Sequence, residues 1–140
     1  MPTHPLSIRF ETPLLERLRQ SAAADRTTPS GLVQDLVDEG LRMRETPGVV
    51  FRPGPSGRRA GLAAGPDVWE IVAAIKDVGG RPEDKAACVA EEMGLTPAAV
   101  DLALTYYSRH PTEVEAQIAQ NERAAEEACA AWQARQAVLS

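Results

Sequence analysis

Leu6, Ile8 and Phe10 alternate with Ser7, Arg9 and Glu11 in the stretch PLSIRFETPLLERL. This is the period-2 pattern of a half-buried β-strand. No second strand pattern follows until well past residue 40. A lone strand leaves its ladder groups unpaired and is not stable by itself. Whatever this chain folds into must supply that strand with a mate, and the mate does not come from its sequence neighbours.

Helical signals take over after the strand. Thr12 is an N-cap candidate with Pro13 at the first helical position, and Leu14, Leu15, Leu18 and Ala22 keep helical spacing, which predicts a helix over about Pro13–Ala24. DRTT breaks it. Thr28 followed by Pro29 restarts a helix with the same device, and Leu32, Val33, Leu36, Val37 and Leu41 form its apolar stripe. ETPG, Glu45 to Gly48, ends that helix and marks a domain boundary. VVFRPGPSGRRAGLA reads as a β-hairpin around a Gly/Pro turn. Four more helices are predicted over about Asp67–Val78, Glu83–Met93, Pro97–Arg109 and Pro111–Ala137, separated by Gly79-Gly80, Gly94 and the His110-Pro111 step. The expected fold is mainly α. Residues 1–46 form a strand-helix-helix unit, residues 49–110 a hairpin with a helix-turn-helix-like bundle, and residues 111–140 a long amphipathic C-terminal helix.

Composition narrows the class. The 140 residues carry a net charge of −5, unevenly spread: residues 1–65 hold 9 Lys+Arg against 7 Asp+Glu, whereas residues 66–140 hold 6 against 13. A mildly basic front and an acidic back suggest surfaces for different partners. Cys88 and Cys129 lie in helical patterns with no CxxC spacing, so they read as reduced thiols, small buried hydrophobes rather than nucleophiles. The start MPTHPLSIRF does not resemble a signal peptide, and no apolar run approaches the ~20 residues needed to cross a bilayer. The expectation is a cytoplasmic protein that does not engage a membrane. PGPSG lacks the Lys-Ser/Thr of a phosphate-binding loop. His4 and His110 have no Cys or carboxylate at catalytic or zinc spacing. No enzyme, metal site or cofactor is expected.

Strand, helix, short turn and helix within about forty residues resemble the ribbon-helix-helix (Arc/MetJ/CopG) regulators, over Pro5 to about Arg44. That resemblance implies a homodimer in which the strands of two copies pair antiparallel. Two copies satisfy each other's free edge, and Leu6, Ile8 and Phe10 then face a dimer core shared with Leu36 and Val37. It also implies that the ribbon enters the DNA major groove. Outward Ser7 and Arg9 would read base edges, with Pro5 in the first outward slot supplying no donor. Thr28 and Ser30 open the second helix, where free N–H groups and the helix dipole suit a phosphate, and Arg26 just before them adds a cation.

The back half carries a second resemblance. Gly65, Val68, Ile71 and Val72, with Leu95, Thr96, Val100, Ala103, Leu104, Tyr106, Tyr107 and Glu113, are similar to a small domain of uncharacterised function commonly found in antitoxins beside PIN-type ribonuclease toxins. Joined to the front half, it resembles VapB-like antitoxins. The resemblance implies a type II antitoxin that binds promoter DNA and neutralises a PIN-type toxin. A stand-alone regulator and a dimeric adaptor without DNA binding are the alternatives. Within the helix-turn-helix-like pair, the second helix reads as a packing element with Val100, Leu104 and Tyr107 inward. Arg52, Arg58 and Arg59 around the hairpin are open to DNA, to the toxin or to solvent. The last helix keeps one stripe, Val114, Ile118, Ala125, Cys129 and Trp132, on an otherwise acidic surface. The stripe packs on its own domain or a dimer mate, or else lies in a toxin groove, with Val114, Ile118 and Trp132 as contacts and Trp132 as anchor.

Overall fold

The computed structural model describes residues 2–55 and 57–140; Ser56, in the expected hairpin turn, lies outside the described residues. Six helices and one antiparallel hairpin follow in the order α1 (Thr12–Ala24), α2 (Pro29–Glu45), β1 (Val49–Gly54), β2 (Gly57–Leu62), α3 (Val68–Asp77), α4 (Pro82–Met93), α5 (Pro97–Arg109) and α6 (Pro111–Leu139). The protein is mainly helical with a small two-stranded sheet. By contacts the chain divides into two units, one ending at Leu41 and the other starting at Arg42, in the last turn of α2.

The first unit is a helical pair with a small core. Leu18, Ala22 and Leu32 are buried, with Phe10, Leu15 and Val33 packed partly against them. Residues 2–11 adopt no secondary structure within this single chain. A strand exists only through its ladder, and no segment of this unit offers one. Thr12 is not the cap expected of it: α1 starts one residue earlier, with Glu11 as N-cap in extended conformation and no side-chain cap. Pro13 then stands in the first turn, where its missing N–H costs nothing. The C-terminus of α1 closes differently. Arg26 takes a left-handed backbone, φ 55°, and the N–H groups of Arg26 and Thr27 donate to the carbonyls of Ala23 and Ala22 at 3.2 and 2.9 Å. These are the paired 5→2 and 6→1 bonds of a Schellman closure. Thr28 then caps α2, its hydroxyl accepting from the Gly31 N–H at 3.0 Å.

The second unit has the main core. β1 and β2 pair in the register Val49↔Leu62, Phe51↔Ala60 and Arg52↔Arg59. α3 touches β2, α4, α5 and α6. Val68, Ile71 and Val72 on α3 are buried in a cluster with Val49, Leu62, Val89, Val100, Ala103, Tyr106, Val114 and Ile118, each of the Val, Leu and Ile side chains contributing about 1.5–3 kcal/mol of apolar burial. α4 ends at Gly94 in the left-handed conformation, φ 67°, and Thr96 caps α5 by accepting from the Ala99 N–H at 3.1 Å. One expectation is refined and one corrected. Val100 is buried and Leu104 and Tyr107 pack half-buried against the core as expected, but the fully buried tyrosine of α5 is Tyr106. α5 turns the line Val100, Ala103 and Tyr106 to the core, a choice that i, i+3 spacing allows equally to the neighbouring line. Cys129 is exposed rather than buried, because α6 has already left the core by that position.

Candidate functional site

In the first unit, apolar side chains outnumber the places to hide them. Leu6 is 82 % exposed, Ile8 53 %, Leu36 54 %, Val37 51 % and Leu41 53 %. Leu36 apart, they are not scattered. The N-terminal segment and the two helices enclose a groove of about 680 Å³ lined by Leu6, Ile8, Phe10, Leu15, Leu18, Val33, Val37 and Leu41, with polar groups from His4, Ser30, Gln34 and Asp38 at its margin. Of the five residues expected in a dimer core, Phe10 alone is partly covered within the chain, and Leu6, Ile8, Leu36 and Val37 stand open.

The residues expected at DNA lie around the same unit. Ser7 and Arg9 are exposed on the N-terminal segment. Arg26, Thr28 and Ser30 are exposed at the α1–α2 turn and the start of α2, although the Thr28 hydroxyl already accepts the Gly31 N–H. The charge around them is lower than the sequence halves suggest. Residues 1–41 carry four cations, Arg9, Arg17, Arg19 and Arg26, against six carboxylates. The basic surplus of the front half belongs to Arg42, Arg44, Arg52, Arg58 and Arg59, all in the second unit.

Two polar clusters organise the second unit. In the first, Arg42 Nη1 donates to Glu113 Oε1 and Oε2 at 2.8 and 2.9 Å and to the Tyr106 hydroxyl at 3.0 Å. Tyr106 in turn donates to Glu113 Oε2 at 2.6 Å. Burial pulls the Arg42 pKa down, but Tyr106 and Glu113 outweigh it and raise it above the ordinary arginine value. Burial, then the hydrogen bond to Glu113, pushes the Tyr106 hydroxyl well above its ordinary pKa. Phe51 and His110 flank the Tyr106 ring at centroid distances of 6.4 and 4.7 Å. Beside this cluster Arg109 Nη1 donates to the Glu45 carbonyl at 2.5 Å and to the Thr46 hydroxyl at 2.9 Å. Arg42 lies 64 residues from Tyr106 and 71 from Glu113 in sequence, and only the resemblance marked Tyr106 and Glu113.

The second cluster decides what the hairpin arginines do. Arg52 and Arg59 lie opposite each other across the strands, an unfavourable like-charge pairing. Buried Asp67 lies between them: Arg52 Nε is 2.9 Å from Oδ1 and Arg59 Nε 2.5 Å from Oδ2. Arg52 also donates to the carbonyls of Leu62 and Gly65 at 3.3 and 3.0 Å. The Trp69 indole donates to Asp67 Oδ2 at 3.3 Å. Glu70 accepts from the Asp67 N–H at 2.8 Å, closing the start of α3. Arg58 remains exposed and donates to the Phe51 carbonyl at 3.1 Å. Arg52 and Arg59 therefore serve the fold, and neither is a free cation for nucleic acid or toxin.

α6 also changes the assignment of its three expected partner contacts. Val114 and Ile118 are core residues, 1 % and 7 % exposed, because the first two turns of α6 pack on α3 and α5. Neither is available to another protein. Trp132 is 61 % exposed. No metal-holding group of His, Cys, Asp or Glu occurs among the described residues, and no helix among them is long and apolar enough to cross a membrane. Compared with known families, curated proteins and solved structures, the chain finds no match.

Proposed function

We propose that the chain is a ribbon-helix-helix antitoxin: a homodimer that binds promoter DNA through its first unit and neutralises a PIN-type ribonuclease with its second. One observation carries the reading. The first unit leaves an apolar segment without a ladder, Leu6 to Phe10, beside an apolar groove that its own chain does not fill. A second copy supplies what both lack, because each segment pairs with the other and the shared ribbon covers the groove. Ser7 and Arg9 then lie on the outward face of the ribbon, at base edges, with Arg26 and the start of α2 near the phosphates. In the second unit, the length of α6 beyond Gln120 and its Trp132 offer the toxin a surface.

The test separates dimerisation from DNA reading. Ile8→Glu is expected to abolish the first unit's self-association and promoter binding together. Arg9→Ala should leave self-association intact while weakening promoter binding at least tenfold. Unchanged DNA binding in both variants sinks the reading. For the toxin arm, the product of the adjacent gene is expected to co-purify with the intact chain and not with a chain truncated after Gln120, which keeps Val114 and Ile118 in the core.

The charge of the first unit, four cations against six carboxylates, favours one competing reading, a dimeric adaptor that does not bind DNA. A promoter titration that shows no loss of binding with added salt would select the adaptor.

A further inference from the structure

We propose that α6 beyond Gln120 pairs antiparallel with the same stretch of a second copy of this chain. The helix leaves its own unit abruptly: Val114 and Ile118 are buried, whereas every residue from Gln120 to Ser140 is exposed. Residues 120–139 make a bare rod of about 30 Å. Ala125, Cys129, Trp132 and Leu139 continue the helical line of Val114 and Ile118 along it. The stripe that enters the core thus runs on, uncovered, along the rod, interrupted by Asn121 and Gln136.

A helix that pairs with its own copy must be self-complementary, since wherever residue i meets j of the copy, j also meets i. About a midpoint between Ala128 and Cys129 the stripe satisfies this. Trp132 falls opposite Ala125 of the second copy, Ala128 opposite Cys129, and Asn121 opposite Gln136. The indole meets a methyl group, which lets the axes approach to the usual 8–10 Å. A parallel, in-register pair would set Trp132 on Trp132 and Ala125 on Ala125, crowding one layer and leaving a void two turns away. The pairing does not depend on the antitoxin reading, but a toxin that takes Trp132 has to displace the second copy.

The experiment uses the full chain carrying Ile8→Glu, so that association through the first unit does not mask the result. Sedimentation at rising concentration is expected to show a dimer, and Trp132→Glu or truncation after Gln120 to convert it to a monomer. Chains carrying Cys88→Ser and Cys129→Ser with either Asn121→Cys or Gln136→Cys are then mixed and treated with a short bismaleimide. Antiparallel pairing brings 121 opposite 136 and holds 121 about 22 Å from its own copy along the axis. Heterotypic cross-links are therefore expected to predominate. Predominant homotypic cross-links overturn the register. Identical sedimentation of the intact and truncated chains overturns the pairing, whatever Ile8→Glu does to the first unit.

Discussion

Arg26 occupies a backbone position that usually goes to glycine. Its φ of 55° closes α1, and a side chain there costs about 1 kcal/mol relative to glycine. Arg26→Gly is therefore expected to raise the stability of the first unit by roughly that amount in thermal or urea melts. If the side chain meets a phosphate, the same change also lowers DNA affinity and flattens its salt dependence, so stability and binding move in opposite directions. Asp67 is the complementary case, a residue whose worth lies in its neighbours. Asp67→Asn removes the charge that reconciles Arg52 with Arg59 and is expected to destabilise the second unit by about 2–3 kcal/mol, because two partly buried guanidinium groups lose their counter-ion. A urea titration that finds less than about 0.5 kcal/mol would show that the arginines are reconciled by solvent instead.

Among the elements, α6 is tied to α3 by a partly exposed trio. Lys76 pairs with Glu115, and the Tyr107 hydroxyl donates to Glu115 Oε1 at 2.7 Å. The hydrogen bonds from Lys76 and Tyr107 hold the Glu115 pKa below its ordinary value near 4.5. The folded state thus favours the carboxylate. The stabilisation is present in full above that ordinary value and is lost as pH falls through the lowered one. Melting temperatures of the intact chain and Glu115→Gln should differ at neutral pH and converge in acid. A constant difference would mean that the ion pair is not what Glu115 contributes. Helix boundaries were legible in the sequence because they are set locally. Pro97, Thr96 and the His110-Pro111 step delimit α5 where expected, Pro97–Arg109. The face each helix buries was less legible. Tyr106 and Tyr107 are adjacent and chemically alike, and only the position of Phe51, His110 and Glu113 around α5 selects Tyr106.

For the whole molecule, the charge of the first unit sets a quantitative expectation. If Arg26 of two copies is the cation that meets phosphates while Arg9 reads base edges, about two counter-ions are released on binding. The logarithm of the promoter affinity then falls with the logarithm of salt at a slope near −2. A fluorescence-anisotropy titration between 50 and 300 mM salt, concentrations of about this order sufficing to define the slope, measures it. A slope near zero rules out the ribbon as a DNA-binding face, and one much steeper requires cations from the second unit.

By itself the sequence determined the order and limits of the helices, the hairpin and the lack of a mate for Leu6, Ile8 and Phe10, because turn residues, caps and periodicity act over a few neighbours. Tertiary structure decided the fate of individual side chains. Arg52 and Arg59 look like free cations until Asp67 closes on them. Val114 and Ile118 belong to the same stripe as Trp132, yet they are core and it is not. An amphipathic stripe states that something must cover it, and only the packing of α3 and α5 shows where the chain's own cover ends.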